Sequence, residues 1–175
     1  GAEDAQKANL LAYLRRTRTA LWWKLEGLDE AQVRRPRTDT GLNLLGIVKH
    51  CLNVEAGYFG ATFGRPWPTP HELVPDGLYE IDPQADWYAR PDETKDGLLD
   101  LARRVADFCD AVILELPLDA RGRVPWWPAE RAEVTLQQVL VHVIVDLSRH
   151  AGQADVVREG IRARTTMLVL NVWML

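Results

Sequence analysis

The sequence predicts an all-α protein, a single four-helix bundle whose helices are joined by long proline-rich connections. Four segments of about 20 residues each carry apolar side chains at helical period. Proline gathers between them, with Pro66, Pro68, Pro70, Pro75, Pro83 and Pro91 in one stretch. At 175 residues and 47% hydrophobic content the chain is long enough for one core without disulfides, so residues 1–175 read as one domain.

The first helix is expected from about Ala5 to Glu26, with Leu10, Leu14, Leu21, Leu25 and Leu28 on one stripe and Gly27 as its stop. The second runs from about Gly41 to Phe63, capped by Asp39 or Thr40 and closed by Gly64 and Pro66. Residues 65 to 91 then read as a long ordered loop rather than regular structure, of the kind that roofs a site. The third helix starts near Asp92 or Thr94 and continues through Leu98, Leu101, Val105, Phe108 and Val112 until Pro117 ends it. A second loop, Pro117 to Val134, carries the run RVPWWPAE. Thr135 and Gln138 form a T-x-x-Q capping box that opens the fourth helix, which extends to about Gly160. The apolar tail, residues 162–175, lacks a helix start and is too apolar to stay free. It is expected to pack on its own bundle or on a second copy, with a homodimer preferred.

Composition excludes several functions. With 21 basic against 25 acidic residues the net charge is −4, so no basic field draws in nucleic acid or anionic lipid. The longest apolar run, Met167 to Leu175, is far short of the ~20 residues a membrane span needs. Two cysteines, Cys51 and Cys109, are too few for a disulfide scaffold, which fits a cytoplasmic setting; both read as small core residues.

The chemistry concentrates on two helices. On the fourth, His150 falls inside the apolar arc and Asp146 on its edge, with His142 one step further out. The spacing of four residues stacks Asp146 over His150, so a carboxylate and an imidazole point together toward the bundle interior. On the second helix His50 sits at the rim of the apolar arc beside Gly46, Asn53 and Gly57. Small residues there suggest open volume around the imidazole, at a cost of ~1 kcal/mol per glycine relative to alanine. An inward histidine is often a hydrogen-bonded core residue. Two histidines and one carboxylate around an open position are also the ligand set of catalytic zinc sites and of the non-haem iron triad. Glu55 lies in the middle of the second helix's apolar arc and Arg18 in that of the first, so a structural Arg18–Glu55 ion pair is expected. Trp67, Trp87, Trp126 and Trp127 lie in the long loops, where they could wall a substrate pocket.

Two stretches carry a resemblance: TDTGLNLLGIVKHCLNVEAGYFGATFGRPWP (38–68) and TLQQVLVHVIVDLSRHAGQADVVREGI (135–161). They resemble the DinB-like superfamily of metal-binding four-helix proteins, and within it the actinobacterial branch grouped with the mycothiol-dependent enzymes. The resemblance implies a divalent ion, zinc or nickel or else iron, held at one end of the bundle by His50, Asp146 and His150. His142 is then an alternate ligand or an outer partner of the ligands, and Gly46, Asn53, Gly57 and Trp67 are pocket candidates. Many relatives carry Glu or His where this chain has Asp146.

Relatives of known activity use mycothiol, bacillithiol or glutathione. The resemblance therefore implies a metal-dependent thiol S-transferase or isomerase, with mycothiol as the cofactor thiol and an electrophilic small molecule as substrate. If water replaces the thiol, the same site makes a metal-dependent hydrolase. A third reading is a non-catalytic, stress-related helical protein that binds a ligand. Beyond the metal ligands, no side chain is assigned a catalytic role.

Overall fold

The computed structural model describes residues 1–161, and the apolar tail expected to pack on the bundle or on a second copy lies outside them. Four long helices make the bundle: α1 (Ala2–Trp23), α3 (Leu44–Glu55), α5 (Lys95–Glu115) and α6 (Leu136–Glu159). Two short ones, α2 (Glu30–Arg34) and α4 (Asp76–Ile81), lie in the connections. α1 packs chiefly on α6, and α3 packs on both α5 and α6. The core they enclose includes Leu14, Leu21, Ile47, Phe59, Val105, Ile113, Leu140, Val143 and Leu147, all essentially solvent-free. Each such side chain contributes about 1.5–3 kcal/mol through burial.

Local chemistry explains the ends of the helices. Thr94 caps α5, its side chain accepting from the Gly97 amide. Thr135 and Gln138 form the expected box at the start of α6. The second long helix starts later than its hydroxyl-rich approach suggests. Thr38 accepts the Leu42 amide and closes a turn, Gly41 takes a φ of +88°, and the cap is Asn43, which accepts from the Gly46 amide at 2.7 Å. A left-handed residue cannot continue a helix, so neither Asp39 nor Thr40 opens one. At its other end α3 widens into a π-helical turn, Ala56–Gly60, and then tightens into a 3₁₀ turn, Ala61–Phe63. Such widened turns often sit beside functional sites, and this one carries Tyr58.

The two long connections are more structured than their proline content implies. The first contains α4 and a 3₁₀ turn at Pro70–Glu72. It is tied to α5 by Arg104, whose guanidinium forks onto both oxygens of Glu72 at 3.1 and 2.6 Å. The second holds a small antiparallel ribbon, β1 (Arg121–Arg123) with β2 (Glu133–Thr135), in which Gly122 faces Val134. Strands of three residues are too short to show alternation, so the sequence carries no trace of them.

Arg18, Glu55 and Asp110 form a charge cluster inside the bundle. The Arg18 Nε donates to Glu55 Oε1 at 2.7 Å, and its Nη1 donates to Asp110 Oδ1 at 2.6 Å. Arg18 and Glu55 are both buried, whereas Asp110 is partly open to solvent. Removing one member of a buried pair strands the other in a low-dielectric surrounding. Glu55→Gln is therefore expected to cost about 3 kcal/mol, and Asp110→Asn about 1 kcal/mol because water can replace its contact. Urea denaturation of the two variants checks the order; an equal or reversed ranking contradicts it.

Candidate metal centre

α3 and α6 bring three donors to one end of the bundle. One ligand atom each from His50, Asp146 and His150 lies within 4.8 Å of the others, and all three side chains are partly buried. The two imidazoles meet edge to face, their centroids 4.8 Å apart.

The hydrogen bonds around the histidines decide which nitrogen faces the centre. His50 Nδ1 lies 2.7 Å from Asp86 Oδ2, and His150 Nδ1 lies 2.8 Å from Gln153 Oε1. A carboxylate and an amide oxygen only accept, so in both rings Nδ1 carries the hydrogen and Nε2 is left with a free lone pair. This is the arrangement that orients metal-ligating histidines. His150 Nε2 then faces Asp146 Oδ1 at 3.3 Å. Two lone-pair atoms face each other stably only with a cation between them. Without a metal that cation is a proton: burial works against the charged His150, but its contacts with Asp146 and Gln153 outweigh burial and raise its pKa. The hydrogen bond from His150 in turn lowers the Asp146 pKa, against the opposing effect of burial. The donor set fits a divalent cation.

His142, one turn before Asp146, stands apart from this group. Its ring packs on Tyr58 and Trp127, with centroids 4.8 and 5.2 Å away. These three line a cavity of about 190 Å³ together with Val134, Gln138 and Val139. The Tyr58 hydroxyl accepts from Trp127 Nε1 at 3.0 Å, and burial raises the Tyr58 pKa.

The space that a side chain at Gly46 or Gly57 would take is occupied. A Cβ at Gly46 would lie 1.9 Å from the Trp87 carbonyl oxygen, and one at Gly57 would lie 2.9 Å from the Trp126 ring. Both glycines admit close packing. Asn53 fastens the first long loop, donating to the Lys49 carbonyl and accepting from the Val74 amide. Trp67 is buried against Phe108 and donates to Glu72, so it anchors that loop. Trp87 is the tryptophan at the centre: its ring stacks on His50 at 3.8 Å and 14°. Two partners of the centre went unread in the sequence. Gln153, three residues after His150 on the same helix face, left a spacing signal. Asp86, in an irregular loop, left none.

A family model described as mycothiol-S-transferase matches residues 9–163. The chain belongs to the mycothiol-S-transferase family. The match runs from within α1 past the end of α6, so the three donors of this mycothiol-S-transferase family member all lie within it. No curated protein matches the chain.

Both cysteines of this family member are free and buried, and burial pushes both thiols well above their usual pKa. Native protein at pH 8 is expected to react with a thiol-specific disulfide reagent only as fast as it opens, and fully in denaturant. A rapid native-state reaction would contradict this. Gly46→Ala forces the Trp87 backbone away from α3 and is expected to cost about 2 kcal/mol. A thermal melt unchanged from the parent protein would contradict it.

Proposed function

We propose that the chain is a metal-dependent mycothiol S-transferase whose ligands are His50, Asp146 and His150. The observation that carries this reading is the convergence of the three donors, both imidazoles held through Nδ1, in a member of this family. Two neutral imidazoles and one carboxylate leave a divalent ion with open coordination positions, as catalytic rather than structural sites do. Zinc, nickel and iron(II) are all compatible with such ligands. Bound there, the ion would lower the pKa of a sulfhydryl beside it and favour the thiolate.

The chain's own residues define the rest. Buried Cys51 and Cys109 supply no nucleophile, so the reacting sulfur comes from the cofactor thiol. In the transfer that sulfur forms a bond to an electrophilic carbon. Either a leaving group departs from the carbon with its electron pair, or, in an addition, the thiol proton ends on the substrate. The cavity walled by Tyr58, Trp127, Val139 and His142 suits a compact, largely apolar electrophile. Tyr58 stays protonated and, with Trp127 already donating to its oxygen, has its own hydrogen free for an acceptor on that electrophile. Free cysteines agree with the reducing cytoplasm in which a small thiol pool is kept.

Elemental analysis of purified protein is expected to find about one divalent ion per chain, lost in His150→Ala; equal content in the two would overturn the ligand assignment. Adding mycothiol to the cobalt-loaded protein is expected to produce a near-ultraviolet sulfur charge-transfer band that Asp146→Ala abolishes. No band, with electrophile consumed in the absence of thiol, would instead support a hydrolase.

A further inference from the structure

The loop that packs on the candidate centre is bonded to α3 and its cap at three successive residues. Asp86 takes the His50 Nδ1 hydrogen at 2.7 Å. The Trp87 carbonyl accepts from Asn43 Nδ2 at 3.2 Å, while its ring stacks on His50. The Tyr88 carbonyl accepts from the buried Lys49 Nζ at 3.1 Å. Gly46 is what permits this approach, since any side chain there would collide with the Trp87 carbonyl. Asp86 itself is only 5% exposed, although it is a carboxylate in a connecting loop. The Tyr79 hydroxyl of α4 faces the same carboxylate. Burying a carboxylate is costly unless charge or hydrogen bonds compensate, and His50 is the partner that the geometry provides.

We infer that Asp86 is the positioning residue of the centre: it holds the hydrogen on His50 Nδ1, aims Nε2 at the metal position, and thereby couples the first long loop to metal binding. The inference rests on the metal reading proposed above. Its physical content has two parts. A carboxylate behind an imidazole raises the basicity of the opposite nitrogen and restricts the ring to one orientation. Coupling is also reciprocal, so whatever the docked loop adds to metal affinity, the metal returns to loop docking.

The test measures zinc affinity by competition with a chromophoric chelator, in the full chain, for the parent protein and three variants. Asp86→Ala and Asp86→Asn are expected to bind zinc 10- to 100-fold more weakly. Asp86→Asn preserves side-chain shape and keeps the test informative if Asp86→Ala does not fold. Arg34→Ala is the control for an attachment that does not run through Asp86, because Arg34 donates to the carbonyls of Ala89, Arg90 and Glu93 without touching Asp86 or His50. It is expected to bind within about twofold of the parent. In the cobalt-loaded protein the ligand-field bands should shift in Asp86→Asn and stay in place in Arg34→Ala. Zinc should also slow amide hydrogen exchange across residues 84–88 in the parent and not in Asp86→Asn. Folded Asp86 variants that bind zinc within twofold of the parent would overturn the inference while leaving the metal reading standing. A parent protein that binds no zinc, nickel or cobalt would overturn both.

Discussion

The packing of α3 against α6 holds the imidazoles of His50 and His150 at 4.8 Å, and the polar groups at that end of the bundle could not hold it themselves. Imidazoles and a carboxylate gain little from one another once partly removed from water, because desolvation offsets their attraction. The free energy comes from the apolar rows behind them: Leu44, Ile47 and Val48 on α3, and Val143 and Leu147 on α6. The donors occupy the rim of that core, close enough to share an ion and near enough to the surface to be reached. Chemistry at the rim depends on packing in the interior.

Arg18 is matched by Glu55 and Asp110, and buried Lys49 by Glu93, so each cation carries its counter-charge with it. The donor group departs from that pattern. Its one carboxylate, Asp146, faces the lone pair of His150 across 3.3 Å, a separation that a proton bridges loosely. The outer nitrogens of both rings are already committed to Asp86 and Gln153. What remains is two inward-facing nitrogens and a carboxylate that share one cation, a proton when no metal is bound, which is the electrostatic description of a site where a metal competes with a proton.

Glycine shows how a sound local signal can be misread. Gly46 and Gly57 weaken a helix, so their presence near His50 demands compensation, and vacant space for a ligand was one explanation. The compensation is contact: the Trp87 backbone sits against one and the Trp126 ring against the other. The same absence of a Cβ is needed for either purpose, and the glycine itself carries no record of which. Tryptophans of the loops divide similarly, Trp67 into the core, Trp87 onto His50, and Trp126 and Trp127 around Tyr58.

Periodicity determined the four long helices, and capping the starts of α5 and α6, because both are properties of neighbours along the chain and are written in local order. They also determined that Asp146 and His150 share a helix face, and that Arg18 and Glu55 occupy apolar arcs where isolated charges are untenable. Local order does not carry the relative rotation of two helices, the path of an irregular loop, or the partner of a glycine. Only the tertiary structure therefore added Asp110 to the Arg18–Glu55 pair and set His142 beside Tyr58 and Trp127, whereas the meeting of His50 with Asp146 and His150 was implied by family resemblance and not by local order. The tertiary structure alone also placed Asp86 behind His50, 36 residues away along the chain. That contact depends on a loop whose course is settled by the sum of many weak attachments, none of which has a period to read.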